Sequence, residues 1–229
     1  MKSSINIATF PPRKEELIKM LASIKGQFDI TRIYFNQISK RPDWIPDWCD
    51  VYCGNENSGD LTDNGKFFFL EEGSEEYYFT ADDDISYPPT YAQDMIREIK
   101  KHNCIVTHHG RKLKGLNRNY YRGGHTTFAC LHEIKTGRFI DVCGTGVTAF
   151  DTRRFNPVDL WGSEFQKMSD IIFSLEASIK GVPIRLIPHS KDYFGYLFPL
   201  DTSTIHYQQH KNCSTQSELA NQIYINKIA

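Results

Sequence analysis

Long apolar runs are absent from this sequence of 229 residues. No window approaches the roughly 20 consecutive apolar residues that a membrane-spanning helix needs. The first ten residues carry a single lysine and a short mixed run, whereas a secretory signal has a charged start followed by a longer apolar stretch. We therefore expect a cytoplasmic protein with no membrane span.

A surplus of one charge is also missing. The 27 Lys and Arg residues nearly balance the 28 Asp and Glu residues, which leaves a formal net charge of -1. Nucleic-acid-binding domains usually carry a strong basic surplus, so we expect no nucleic-acid partner. A local basic patch is still compatible with the sequence, formed by Arg111, Lys112, Lys114, Arg118 and Arg122.

Closely spaced cysteines are scarce. Of the six, only Cys49 and Cys53 are near one another, and their spacing is not that of a zinc-binding pair. Without an export signal, reduced thiols are expected. We interpret the cysteines as structural and inert, because free cysteine is commonly buried.

Strand and helix patterns alternate along the chain. Helices are predicted at about 11–26, 91–101, 165–180 and 216–228, from apolar residues at helical spacing. Strands are predicted at 5–10, 30–35, 51–53, 65–70, 77–81, 104–107, 127–133, 138–142 and 184–187. The alternation favours an α/β protein with a mainly parallel sheet flanked by helices. No linker or repeat interrupts it, so we expect a single domain.

Three consecutive aspartates, Asp82, Asp83 and Asp84, directly follow the strand predicted at 77–81. Open α/β sheets bind ligands at the carboxyl edge of their strands, where these side chains would lie. In an extended segment Asp82 and Asp84 share a face and Asp83 points away. Neighbouring carboxylates repel one another, and Mg²⁺ or Mn²⁺ relieves that repulsion. The alternative is a solvated acidic turn in which one aspartate caps the next helix.

The segment at 79–91, FTADDDISYPPTY, resembles the Asp-X-Asp segment of GT-A glycosyltransferases, particularly the family 2-like members of bacteria and viruses. Four other segments are similar to parts of the same family, in the same order. They are the first strand and nucleotide-facing loop at 7–13, the nucleoside-contacting segment at 63–66, the acceptor-side loop at 144–147 and the catalytic helix at 168–173. The likeness extends over about 5–188.

The resemblance implies one GT-A catalytic domain over residues 1–229. About 1–110 would form the half that binds the nucleotide sugar, and about 111–229 the half that binds the acceptor. The implied reaction is metal-dependent and inverting, and moves a sugar from a nucleoside-diphosphate sugar to an acceptor hydroxyl. A UDP-sugar is the favoured donor, and the acceptor is a glycan, a lipid-linked sugar or a protein.

The resemblance also implies a role for individual residues. Asp84 and Asp82 would hold the metal, Asp84 as the direct ligand and Asp82 through a contact with the ribose or with a metal-bound water. Asp170 would act as general base, since an acceptor hydroxyl is a poor nucleophile. A late histidine, His206 or His210, would add a metal ligand. The nucleotide sugar would meet Thr9, Arg13, Asp63, Lys66, Asp82 and Asp83, and the acceptor would meet Gly144, Gly146 and Tyr193.

Two of these residues also have a purely structural interpretation. Asp170 also suits the first turn of a helix, where a carboxylate interacts favourably with the helix dipole. Asp63 opens an Asp-Asn-Gly sequence typical of turns. Two other functions stay open as well. One is a sugar nucleotidyltransferase, although residues 9–13 lack the glycine-rich phosphate loop of that class. The other is a non-catalytic module that binds carbohydrate or metal.

Overall fold

The computed structural model describes residues 1–71, 76–116, 118–197 and 213–228. The helices are α1 (Lys14–Ile24), α2 (Tyr91–His102), α3 (Ser169–Ile179) and α4 (Ser214–Ile228). Short 3₁₀ helices lie at Pro11–Arg13, Gly54–Glu56, Thr62–Phe67 and Leu160–Gly162. The strands are β1 (Lys2–Thr9), β2 (Ile30–Phe35), β3 (Cys49–Cys53), β4 (Glu76–Ala81), β5 (Ile85–Ser86), β6 (Ile105–Thr107), β7 (Gly110–Leu113), β8 (His125–Phe128), β9 (Arg138–Ile140), β10 (Val142–Cys143), β11 (Val147–Asp151), β12 (Ile184–Leu186) and β13 (Gly195–Tyr196).

Eight strands form the main sheet, in the order β3-β2-β1-β4-β11-β6-β12-β9. The α/β class and the single domain are confirmed, but the sheet is mixed rather than mainly parallel. Four of the seven neighbouring pairs are parallel, while β11 runs antiparallel to both β4 and β6, and β9 runs antiparallel to β12. Two of the three antiparallel pairs involve β11, a strand that the sequence analysis did not predict and that lies between β4 and β6.

Two apolar cores cover the two faces of the sheet. On β4, Phe79 and Ala81 belong to the core beneath α1 and α2, whereas Tyr78 points into the core beneath α3 and α4. This alternation follows from the two-residue period of a strand. The predicted apolar stripe of α1 is confirmed, since its four members are all buried: Leu17, Met20, Leu21 and Ile24.

The strand predicted at 65–70 is wrong, because Thr62–Phe67 forms a 3₁₀ helix. Its aromatic residues pack between elements instead of lining a strand; the Phe67 ring stacks on the Phe173 ring with centroids 5.5 Å apart. Gly65 lies directly against the Tyr34 ring, where a Cβ would come within 2.8 Å. Tertiary packing has overridden the strand preference of aromatic residues.

The second half of the chain departs from the prediction in three further places. The loop predicted at 110–126 contains β7, which pairs with β8 and β10. The strands predicted at 127–133 and 138–142 do not pair with each other, since β8 joins the small sheet and β9 joins β12. Finally, α3 begins at Ser169 rather than at residue 165.

All six cysteines are free and buried, as expected from the sequence. Burial raises the pKa of the Cys49, Cys130 and Cys143 thiols to about 12 and that of Cys104 to about 11. These thiols are therefore poor nucleophiles at neutral pH. As for membranes, each helix of the described part of the chain is too short or too polar to cross a bilayer.

Candidate functional site

The acidic segment, defined as Asp82, Asp83 and Asp84, lies at the carboxyl edge of β4. Because β1 and β4 are parallel, with Ile7 opposite Ala81, the residues that follow on each strand meet at this edge. The Thr9 hydroxyl donates a hydrogen bond of 2.6 Å to Oδ2 of Asp83. Burial raises the pKa of Asp83 to about 6, although the Thr9 hydrogen bond opposes this shift. Asp83 therefore faces the protein interior and anchors the segment to β1.

Asp84 is paired with Arg13, which follows β1. Nη1 of Arg13 lies 3.5 Å from Oδ2 of Asp84, and both side chains are largely buried. Burial, followed by the charges of Asp82 and Asp83, raises the pKa of Asp84 to about 7. The backbone carbonyl of Asp84 accepts a 2.8 Å hydrogen bond from the Leu197 amide, so the segment following β13 packs beside it.

Asp82 is paired with Lys66, whose Nζ lies 2.5 Å from Oδ1. The Lys66 side chain is only 4% exposed, whereas that of Asp82 is 43% exposed. Burial opposes protonation of Lys66, but the charges of Asp82 and Asp63 outweigh it and raise the pKa of the amine above its ordinary value. The 3₁₀ helix Thr62–Phe67 thus places the buried ammonium of Lys66 beside the exposed carboxylate of Asp82.

The turn Gly144, Thr145 and Gly146 reaches the same edge, because β11 is antiparallel to β4 and Val147 lies opposite Ala81. Gly146 is next to Asp82, and a Cβ at Gly146 would overlap the Asp82 carboxylate. At Gly144 a Cβ would come within 2.7 Å of the His109 ring. Both glycines are thus required by packing, while the predicted acceptor contact at Gly144 and Gly146 stays a prediction.

A buried phenol ties this turn to the acidic segment. The Tyr87 hydroxyl donates a 2.6 Å hydrogen bond to the Gly146 carbonyl and accepts one of 3.0 Å from the Asp82 amide. Tyr87 was not among the predicted site residues. Its position five residues after Asp82 gave no signal, because the contact depends on β11.

Asp170 lies in the first turn of α3 and is held by the 144–146 turn. Its Oδ1 accepts hydrogen bonds of 2.7 Å from both the amide and the hydroxyl of Thr145. The structure therefore brings Asp170 to the same group of elements as the acidic segment. Thr145 itself was not predicted, although it stands between two glycines.

Asp63 braces the start of α3. Its Oδ1 accepts a 2.8 Å hydrogen bond from the Lys167 amide, and its Oδ2 accepts one of 3.0 Å from the Ser169 amide. These contacts join the 3₁₀ helix that carries Lys66 to the helix that carries Asp170. The predicted contact of Asp63 with a nucleoside stays a prediction.

Asn36, at the end of β2, is a further residue that the sequence analysis did not single out. Its Nδ2 donates to the carbonyls of Thr9 and Thr62, and its Oδ1 accepts a hydrogen bond from the Leu61 amide. Asn36 thereby joins the carboxyl end of β1 to the segment that carries Lys66. A polar residue directly after a predicted strand was the available signal.

Tyr193, another of the predicted site residues, contacts helix α2. Its hydroxyl donates a 2.7 Å hydrogen bond to Oδ2 of Asp94 on α2. It lines a separate cavity of about 120 Å³, together with Asp94, Arg97, Glu98, His108, Ile187 and Pro188. The acceptor contact predicted for Tyr193 stays a prediction.

The two candidate histidine ligands, His206 and His210, lie outside the described residues. Within the described ranges, no group of three or more His, Cys, Asp or Glu side chains has the arrangement of a metal site. Comparison with protein-family models and with curated proteins gave no match for this chain.

Proposed function

We propose that this protein is a metal-dependent, inverting glycosyltransferase of the GT-A type, which moves a sugar from a nucleoside-diphosphate sugar to an acceptor hydroxyl. A UDP-sugar is the favoured donor, and a glycan, a lipid-linked sugar or a protein is the acceptor. The supporting observation is the convergence of the acidic segment, two largely buried cations and the braced carboxylate of Asp170 on one edge of the sheet.

The charges at this edge fit a divalent cation. Within the described ranges, the three consecutive carboxylates pair with two cationic side chains, Arg13 and Lys66, and Asp82 and Asp84 are more exposed than Asp83. Carboxylate oxygens are the ligands that Mg²⁺ and Mn²⁺ prefer, usually one or two of them together with substrate phosphates. Asp82 and Asp84 would hold the metal, and the metal would supply charge neutralisation for the departing diphosphate.

Lys66 and Arg13 suit the same diphosphate. Each is already held at the sheet edge by an aspartate, so little side-chain freedom is lost when an anion binds. In addition, Thr9 fixes Asp83, which keeps the acidic segment in place beside β1. These residues would hold the donor in one orientation.

Asp170 would accept the proton of the acceptor hydroxyl as its oxygen bonds to the anomeric carbon of the donor. The bond from that carbon to the diphosphate oxygen breaks, and the electron pair leaves with the nucleoside diphosphate. A single displacement of this kind inverts the anomeric centre. Thr145 holds one oxygen of Asp170, which leaves the other oxygen for this proton.

Thermal unfolding tests the proposal. The midpoint would be measured for the wild type and for Asp84→Ala with and without Mn²⁺, alone and with UDP, GDP, CDP or TDP. A ligand that binds only the folded state stabilises it by about 2.7 kcal/mol at a hundredfold excess over Kd. We expect one diphosphate, with UDP favoured, to raise the midpoint only in the presence of metal.

Asp50→Ala is the matched control, because it removes an exposed carboxylate from the edge strand β3. It should respond to metal and diphosphate as the wild type does, whereas Asp84→Ala should not respond. If no diphosphate shifts the midpoint of a well-folded sample, the glycosyltransferase proposal fails. A sugar or a metal that alone shifts the midpoint would then favour the non-catalytic binding module.

A further inference from the structure

Thr145 connects the two parts of the proposed site. Its side chain is fully buried, and its amide and hydroxyl both donate to the same oxygen of Asp170 at 2.7 Å. The hydroxyl also lies 2.9 Å from that of Ser169. Among the described residues, Thr145 is the one that hydrogen-bonds the Asp170 carboxylate, and it does so through Oδ1 alone.

The next residue in the chain contacts the acidic segment. The Gly146 carbonyl accepts a 3.4 Å hydrogen bond from the Asp82 amide, and the Asp82 carboxylate fills the space where a side chain at Gly146 would lie. The dipeptide of Thr145 and Gly146 therefore touches Asp170 on one side and Asp82 on the other.

We infer that Thr145 is a positioning residue, which sets the direction of the Asp170 carboxylate relative to the donor held at Asp82 and Asp84. This inference rests on the proposed function. Two donors on one oxygen restrict rotation of the carboxylate and direct its second oxygen away from Thr145. In displacement reactions a misplacement of about 1 Å costs up to roughly a hundredfold in rate. The hydroxyl of Thr145 thus acts through Asp170 and not on the substrate.

The test is release of UDP from UDP-glucose, UDP-galactose and UDP-N-acetylglucosamine in the presence of Mn²⁺, with water as the acceptor. Thr145→Val keeps the amide and the shape but removes the hydroxyl. We expect kcat to fall by roughly tenfold or more, with KM nearly unchanged, because the donor is held by other residues. Thr145→Ser, which restores the hydroxyl, should recover most of the lost rate.

Two comparisons separate positioning from a structural role. In an Asp170→Asn background, Thr145→Val should have little further effect on kcat, because residues that act as a unit are not additive. Stabilisation by UDP with Mn²⁺ should be the same in Thr145→Val as in the wild type. Thr136→Val, at an exposed position, is the control for the substitution itself. If Thr145→Val does not fold, Thr145→Ala replaces it.

The outcomes are distinguishable. An unchanged kcat in folded Thr145→Val, or an equal loss of kcat in the Asp170→Asn background, overturns the assignment of Thr145 and leaves the proposed function intact. Absence of UDP release by the wild type with every donor, combined with no metal-dependent stabilisation by UDP, GDP, CDP or TDP, overturns the proposed function and the assignment together.

Discussion

At the scale of single residues, Gly146 decides whether the Asp82 carboxylate has room. A Cβ there would overlap that carboxylate, which must then shift from the position in which it pairs with Lys66. We expect Gly146→Ala to lower the free energy of unfolding by about 1–3 kcal/mol, as overpacking commonly does. The variant should also lose the stabilisation by metal and diphosphate. Urea unfolding, repeated with UDP and Mn²⁺, measures both effects.

Gly162→Ala is the matched control, since a Cβ at Gly162 has nothing within 4 Å. Its effect on unfolding should stay within about 0.5 kcal/mol, as is usual for surface positions. A Gly146→Ala variant that keeps both its stability and its response to UDP would show that the Asp82 carboxylate can move freely.

The Thr9 hydroxyl gives a second prediction at this scale. Thr9→Val removes the 2.6 Å hydrogen bond to Asp83 and leaves a buried carboxyl group without that donor. An unsatisfied buried polar group costs about 1–3 kcal/mol. We expect Thr9→Val to lower the unfolding free energy, measured by urea titration, by an amount in that range. Thr9→Ser should keep most of the wild-type stability. Equal stability of the Val and Ser variants would contradict the role assigned to the hydroxyl.

At the scale of elements, the start of α3 depends on a residue far away in sequence. Asp63 accepts hydrogen bonds from the Lys167 and Ser169 amides, as a capping side chain would. Loss of a helix cap costs about 1 kcal/mol. We expect Asp63→Ala to lose at least this much unfolding free energy in urea, and Asp63→Asn, which keeps one acceptor oxygen, to lose less. Asp43→Ala, at an exposed position, should have no measurable effect.

The same contact shows why the boundaries of elements were harder to predict than their existence. Phe165 and Met168 continue the apolar spacing of α3, so local pattern extends the helix to residue 165. The helix instead begins at Ser169, where Asp63 supplies acceptors from another element. At residues 65–70 the aromatic composition favours a strand, yet the rings pack against α3 and β2.

The residues of the candidate site also divide into those that local sequence predicts and those whose contacts depend on distant elements. Asp82, Asp83 and Asp84 could be predicted from local sequence, because a strand that ends in carboxylates places them at a sheet edge. Their partners Lys66 and Arg13 came only from the resemblance. Thr145 and Tyr87 were missed because their contacts depend on β11, which local pattern did not reveal.

At the scale of the whole molecule, the apolar core beneath α3 holds in place the helix that carries Asp170. Phe173 is fully buried and contacts the rings of Phe67, Phe150 and Phe155. We expect Phe173→Ala to lower the unfolding free energy by about 3–5 kcal/mol in guanidinium chloride. Phe139→Ala, on a half-exposed side chain, should cost far less. Similar losses in the two variants would contradict this account of the core.

The position of β11 also determines how the chain can be divided. β4 and β6 both come from residues 1–110, but the strand between them, β11, comes from residues 111–229. A fragment that stops at residue 110 would leave the facing sides of β4 and β6 unpaired, and such open edges recruit strands from other chains. The two halves implied by the resemblance are therefore interleaved. Separately expressed, they should aggregate, and only their co-expression offers a route to a reconstituted fold.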